Sequence, residues 1–142
     1  MARVSKKEQN RRSRDWKNKT SYNAKMHKMN DATYALRRNV IDAIYELKKH
    51  VNLPRIEVRI VDGGDGGYCG YAYLNSNVIH IMDKYASDKY KSKASILHLT
   101  AHEIVHAVTG FEHDSKCYLM QPYHVANPDA SKSIEAFKKY FK

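Results

Sequence analysis

The run His102-Glu103-Ile104-Val105-His106 places two imidazoles four residues apart, with a carboxylate beside the first. On a helix, residues at that spacing project from one face a turn apart, so both rings can reach a single ion. The glutamate then stands near an ion-bound water and can take its proton. A catalytic site of this kind needs a third ligand and one position left open for water. His113 follows Gly110 by three residues and can swing back to the ion, with Glu112 and Asp114 beside it as oxygen donors. His98 shares the face of His102 and His106 but fails on distance, since eight helical residues span about 12 Å. His27, His50, His80 and His124 have no partner spacing and read as ordinary histidines.

The elements that must position these groups are legible from periodicity. Lys93 to Thr109 reads as a helix with Leu97, Ala101, Ile104, Val105 and Val108 as its apolar stripe, and Gly110 stands where a left-handed C-terminal residue belongs. Asn30 to Val51 is a second helix, with Leu36, Val40, Ile44, Leu47 and Val51 on one face, Asn30 or Asp31 at its start and Leu53-Pro54 at its end. Arg55 to Val61 alternates as a half-buried strand. After the glycine-rich stretch 62–70, Tyr71 to Leu74 and Val78 to Met82 read as two short strands joined at Asn75-Ser76-Asn77. A last helix is expected with Asn127 as its cap, Pro128 at its first position, and Ile134, Phe137 and Phe141 facing the core.

Composition bounds the rest. A chain of 142 residues with 42% hydrophobic content fits one domain with a real core. The longest apolar stretch, Ile96 to Val108, is broken by three histidines and a glutamate, which excludes a membrane-spanning helix. The first thirty residues are hydrophilic, unlike a secretory signal peptide. Two cysteines, Cys69 and Cys117, make neither a disulfide framework nor a four-cysteine zinc site, so a reducing compartment is expected. The net charge of +10 is uneven: residues 1–30 hold ten basic and two acidic residues. The chain therefore divides into a basic tail, 1–29, and a folded domain, 30–142. Arg11, Arg12, Arg14, Lys17 and Lys19 lie in that tail as candidate contacts for nucleic acid or another polyanion. A solvated tail is the plain alternative.

His102 to Asp114 resembles the zinc-binding signature of the metzincin metalloproteases, and Cys117-Tyr118-Leu119-Met120-Gln121-Pro122 resembles the Met-turn that follows it. Matrixin and archaemetzincin domains are nearest in pattern. Asp65 to Tyr73, followed by Ile79-His80-Ile81, is similar to the matrixin segment between its glycine-rich loop and inner strands, and the likeness covers roughly residues 55–125. The resemblance implies an α+β, minimal zincin fold: a small twisted sheet backed by helices, an active-site helix, a Met-turn and a C-terminal helix. It implies Zn2+ held by His102, His106 and His113, with Glu103 as general base and Met120 as the apolar floor under the metal. It implies a protein or peptide substrate laid as an added strand along the edge formed by Gly70, Tyr71, Ala72 and Tyr73. Tyr123 is the candidate oxyanion stabiliser, although it lies three residues after Met120 where the family has two.

The spacing also departs from the family at the third ligand. Three residues separate His106 from Gly110, one more than the pattern has, so a strict count puts Glu112 in the ligand position. The glycine-to-histidine interval is the family's own. The extra residue is therefore placed before Gly110, where one more helical residue absorbs it, and His113 is preferred to Glu112 and Asp114. Matrixin structural-zinc histidines are mostly absent, with Tyr71 and Tyr73 in their neighbourhood, and the archaemetzincin cysteine cluster is missing. Asp62, Asp65 and Asp83 are candidate Ca2+ donors, with a solvated turn as the plainer reading. Cys69 is a candidate latch for the metal, with a buried inert thiol as the plainer reading.

Three functional readings follow. The first is a zinc-dependent endopeptidase. The second is a SprT-like protease acting on DNA-bound proteins, which gives the basic tail a purpose but leaves the Met-turn unexplained. The third is a nucleic-acid-binding or structural protein with a vestigial protease fold. The expected setting is the cytoplasm or an assembly such as a virion, without a membrane.

Overall fold

Leu36, Val40, Ala43, Ile44 and Leu47 recur at helical spacing and form the buried stripe of helix α1 (Asp31–Lys48). The protein is represented by a computed structural model that describes residues 31–61, 70–83, 92–122 and 125–141. Helix α1 ends three residues before the expected Val51. The amides of His50 and Val51 both bond to the Leu47 carbonyl, closing the last turn ahead of Leu53-Pro54. Strand β1 (Glu57–Val61) then buries Val58 and Ile60 on the α1 side, as its alternation requires.

Strands β2 (Gly70–Ala72) and β3 (Val78–Met82) form a hairpin, and Asn75 takes a left-handed conformation at its turn (φ 58°). The sheet order is β1-β3-β2. β3 is parallel to β1, with Ile60 opposite Ile81, and antiparallel to β2, with Tyr71 opposite His80. Among the described residues, strand β2 thereby lies at a sheet edge. One face of the sheet joins the main core through Val58, Ile60, Ala72, Ile79 and Ile81. The other face holds a separate cluster of Val61, Tyr71 and Met82, where the Tyr71 and His80 rings stack at 4.2 Å.

Helix α2 (Lys93–Ile104) starts at Ser92, whose hydroxyl accepts the Ser95 amide. It packs against α1, both β2 and β3, and α3, so every residue from Ile96 to Ile104 is buried. The uninterrupted helix expected to Thr109 is corrected: from Val105 to Thr109 the chain widens into a π-helical turn. Gly110 then ends it in the left-handed conformation (φ 75°). A π turn is how a helix takes in one extra residue without changing the direction of what flanks it. The Ala107 carbonyl on this turn accepts the amide of Ser76, fastening the β2–β3 turn to the end of the helix.

Helix α3 (Ala130–Lys139) also begins later than the sequence suggests. Asn127 is left-handed (φ 48°) and so lies in the turn before the helix. Asp129 is the cap instead, its carboxylate accepting the Lys132 amide at 3.1 Å. Phe137 is fully buried, and Ile134 and Phe141 pack against the core from its edge. The described residues form an α+β arrangement of three helices and a small mixed three-stranded sheet. No helix among them is long and apolar enough to cross a membrane.

Candidate metal centre

His102 and His106 leave α2 and the π turn on the same side, and the chain reversal at Gly110 brings His113 to meet them. One ligand atom from each of the three lies within 4.8 Å of the others, close enough to hold one metal ion. Neighbouring ring centroids are 4.7 to 5.1 Å apart. His102 and His106 are buried and His113 is half-buried. Glu112 is exposed, and neither it nor Asp114 belongs to the cluster. The π turn and the left-handed Gly110 set the geometry: together they direct the loop beyond the helix so that His113 stands beside His102 and His106.

Backbone carbonyls fix the rings. Nδ1 of His102 donates to the Leu119 carbonyl and Nδ1 of His106 to the Phe111 carbonyl, each at 2.7 Å. A carbonyl only accepts, so both Nδ1 atoms carry the proton, and in the neutral rings both Nε2 atoms present lone pairs. Those two Nε2 atoms are 3.1 Å apart. Two lone pairs at that distance repel unless a cation lies between them. A single proton can bridge two rings, but three converging rings suit a metal ion. For zinc-to-nitrogen bonds of about 2.05 Å at tetrahedral angles, the expected nitrogen separation is about 3.3 Å. The donor set therefore fits a metal. Burial, and then the neighbouring His106, hold the His102 ring well below the ordinary histidine pKa of 6.5, so it is neutral and ready to ligate.

The loop supplying these carbonyls is itself held. The Asp114 amide donates to the Met120 carbonyl at 2.7 Å, and the Asp114 carboxylate accepts the Lys116 amide at 2.9 Å. Met120 and Leu119 are fully buried. Helix α3 reaches the same loop through its own start, where the Asp129 amide donates to the Tyr118 hydroxyl. His98 is not part of the cluster; its Nδ1 lies 2.8 Å from the hydroxyl of buried Ser133 on α3.

Glu103 is wholly buried, and neither carboxylate oxygen has a hydrogen-bond partner among the described residues. Desolvation raises its pKa well above the usual 4.5. The edge strand comes right up to it: a methyl on Gly70 would stand 3.3 Å from a Glu103 oxygen and 2.7 Å from the His80 carbonyl. Only glycine allows that approach. Tyr71 and Ala72 continue the edge strand, and Tyr73 lies just beyond its end.

Several candidates fall elsewhere. Tyr123, Asp62, Asp65, Cys69 and the tail residues Arg11, Arg12, Arg14, Lys17 and Lys19 lie outside the described residues. Asp83 follows β3 and joins no ligand cluster; the three histidines are the one such group among the described residues. Sequence reasoning missed the Leu119 and Phe111 carbonyls and the clamp from Ser76 to Ala107. Backbone acceptors leave no mark in residue types. No protein-family model, no curated protein and no solved structure matches the chain.

Proposed function

We propose that the chain is a zinc-dependent endopeptidase with a metzincin-like site, cleaving peptide bonds in a protein substrate. The observation that carries this reading is the convergence of His102, His106 and His113 beside a buried, unpartnered carboxylate at a sheet edge. Three imidazoles suit zinc among the first-row ions and leave a coordination position open. Zinc bound there supplies Lewis-acid polarisation of the scissile carbonyl and a water of lowered pKa. Glu103 takes the proton from the attacking water and hands it to the leaving amine. The edge of β2 would align an extended peptide across the site as an added strand. Met120 is the apolar floor in this reading, and Tyr123 the oxyanion donor.

Metal analysis of the purified chain, coupled to cleavage of a random peptide library with and without chelator, tests the proposal. One zinc per chain and chelator-sensitive cleavage are expected. A chain that keeps its zinc yet cleaves no member of the library overturns the enzymatic reading.

A further inference from the structure

His98 lies one helical turn before His102 on α2 but joins a different set of contacts. Its ring is buried, and so is Ser133 on α3. The Ser133 hydroxyl donates to the Asp129 carbonyl at 3.1 Å, so its one proton is engaged and it accepts from His98 Nδ1 at 2.8 Å. The amide of the same Asp129 donates to the Tyr118 hydroxyl at 2.7 Å. Tyr118 closes the circuit: its ring meets the His98 ring at 86°, with centroids 5.3 Å apart. The residue after Tyr118 is Leu119, whose carbonyl accepts from His102 Nδ1.

We propose that His98, Ser133 and Tyr118 are positioning residues for the metal centre, holding the Leu119 carbonyl where it fixes the His102 ring. This rests on the metal-binding part of the proposed function and not on the peptidase reaction. An imidazole that loses its carbonyl anchor is free to turn or to change tautomer, and either takes the Nε2 lone pair off the ion. An apolar side chain such as that of Leu119 cannot aim its own carbonyl by hydrogen bonding, so the aim comes from its neighbours. Tyr118 is the neighbour tied to both α2 and α3. Packing alone does not call for the polar part of this circuit. A buried imidazole and hydroxyl replaced together by apolar groups of similar shape change stability little. The Asp129 carbonyl would keep its helical partner, the Ser133 amide at 3.0 Å. Direction at the metal is therefore separable from stability of the fold.

The test follows zinc release from the full, metal-loaded chain to a chromogenic chelator. Denaturant unfolding of the metal-free chain and visible absorption of the cobalt-loaded chain are measured beside it. His98→Leu/Ser133→Ala should unfold near the parent's midpoint yet release zinc roughly tenfold faster, the low end of the usual loss when a metal ligand's support is removed. Its cobalt absorption should differ from the parent's, since that signal reports geometry at the ion. Tyr118→Phe keeps the ring and removes only the acceptor of the Asp129 amide, so it should release zinc faster than the parent by a smaller factor. Asp129→Ala keeps both backbone groups of the circuit and should release zinc at the parent's rate. A double variant that releases zinc like the parent, with unchanged cobalt absorption, overturns the inference while leaving the metal centre standing. If the double variant does not fold, parent-like release from Tyr118→Phe overturns it instead. A parent chain that takes up neither zinc nor cobalt overturns the metal centre and this inference with it.

Discussion

Helices α1 and α2 pack against one another but are held in different ways. Helix α1 buries one stripe and leaves Tyr34 and Tyr45 in solvent. Helix α2 is enclosed by α1, the sheet and α3, and shows no outer face from Ile96 to Ile104. A helix held from one side has side chains free to meet a varied partner. One held from three sides can keep imidazoles in place, at the cost of burying polar groups. Thr100 Oγ1 and both Glu103 oxygens are buried in α2 without a hydrogen-bond partner among the described residues. Such burial is unfavourable by about 1–3 kcal/mol per group, and in α2 the carboxylate is the one that the proposed chemistry uses.

The largest expected effect comes from Glu103. Glu103→Ala should reduce peptide cleavage roughly 10²–10⁴-fold, the usual loss on removing a general base. Zinc content should stay at one per chain, because the three imidazoles and their carbonyl anchors are untouched. The Ala variant should also fold at least as stably as the parent, since no hydrogen bond is lost. Kinetics beside metal analysis checks this, and equal activity in the two proteins would remove Glu103 from the mechanism.

Within α1 the contrast narrows to two positions. Leu47 is fully buried, so Leu47→Ala should destabilise the domain by about 2–5 kcal/mol. Tyr45, two residues earlier and 64% exposed, should tolerate alanine within about 0.5 kcal/mol. Denaturant unfolding of both variants measures the difference. A large loss at Tyr45 would mean that the outer face of α1 packs against something.

The same contrast explains what could be read from the sequence. The α1 stripe and the alternation of β1 each have one buried face, and a one-sided pattern is visible in residue types. The β2–β3 hairpin, buried on both faces, was legible from its Asn75-Ser76-Asn77 turn instead. His102 and His106 were legible because ligand chemistry fixes their spacing on a helix. The widening of α2 at Val105 was not, because a π turn is set by hydrogen bonds and by the docking of Ser76 on Ala107. Nor was the cap of α3. Asn127, Pro128 and Asp129 all suit a helix start, and what distinguishes them is the left-handed backbone of Asn127 and the bond from the Asp129 amide to Tyr118.

Acid–base behaviour should separate the buried site from the rest of the fold. In the metal-free protein, the depressed pKa of His102 makes stability rise with pH until the unfolded chain loses its own proton near 6.5. The raised pKa of Glu103 acts oppositely. From 4.5 upward the folded state holds a proton that the unfolded chain has lost, so stability falls as pH rises toward the folded value. Above 6.5 the His102 contribution is level. Relative to a Glu103→Gln variant, the metal-free parent should therefore show stability, read by thermal unfolding, that declines as pH rises from 4.5. The Glu103→Gln variant should lack that decline, and bound metal should reduce it by favouring the carboxylate. A decline that persists in the Gln variant would place its origin elsewhere.

The smallest effect is the most discriminating, because it sets two losses of similar size against each other. Gly110 closes the π turn at φ 75°, where a side chain costs about 1–2 kcal/mol. A methyl there would also stand 3.2 Å from the Asn75 Oδ1 atom in the β2–β3 turn. Asp129 caps α3, and its replacement by alanine should cost about 1 kcal/mol. By stability alone Gly110→Ala and Asp129→Ala should look nearly alike. They differ in what lies beyond them. Gly110 directs the segment that carries the Phe111 carbonyl to His106 and His113 to the ion, so its alanine variant should release metal to a competing chelator faster than the parent. Asp129→Ala keeps the backbone amide that bonds to Tyr118, so its metal release should match the parent. Equal release from both variants would mean that the π turn only ends a helix, and that the His113 loop finds its position without it.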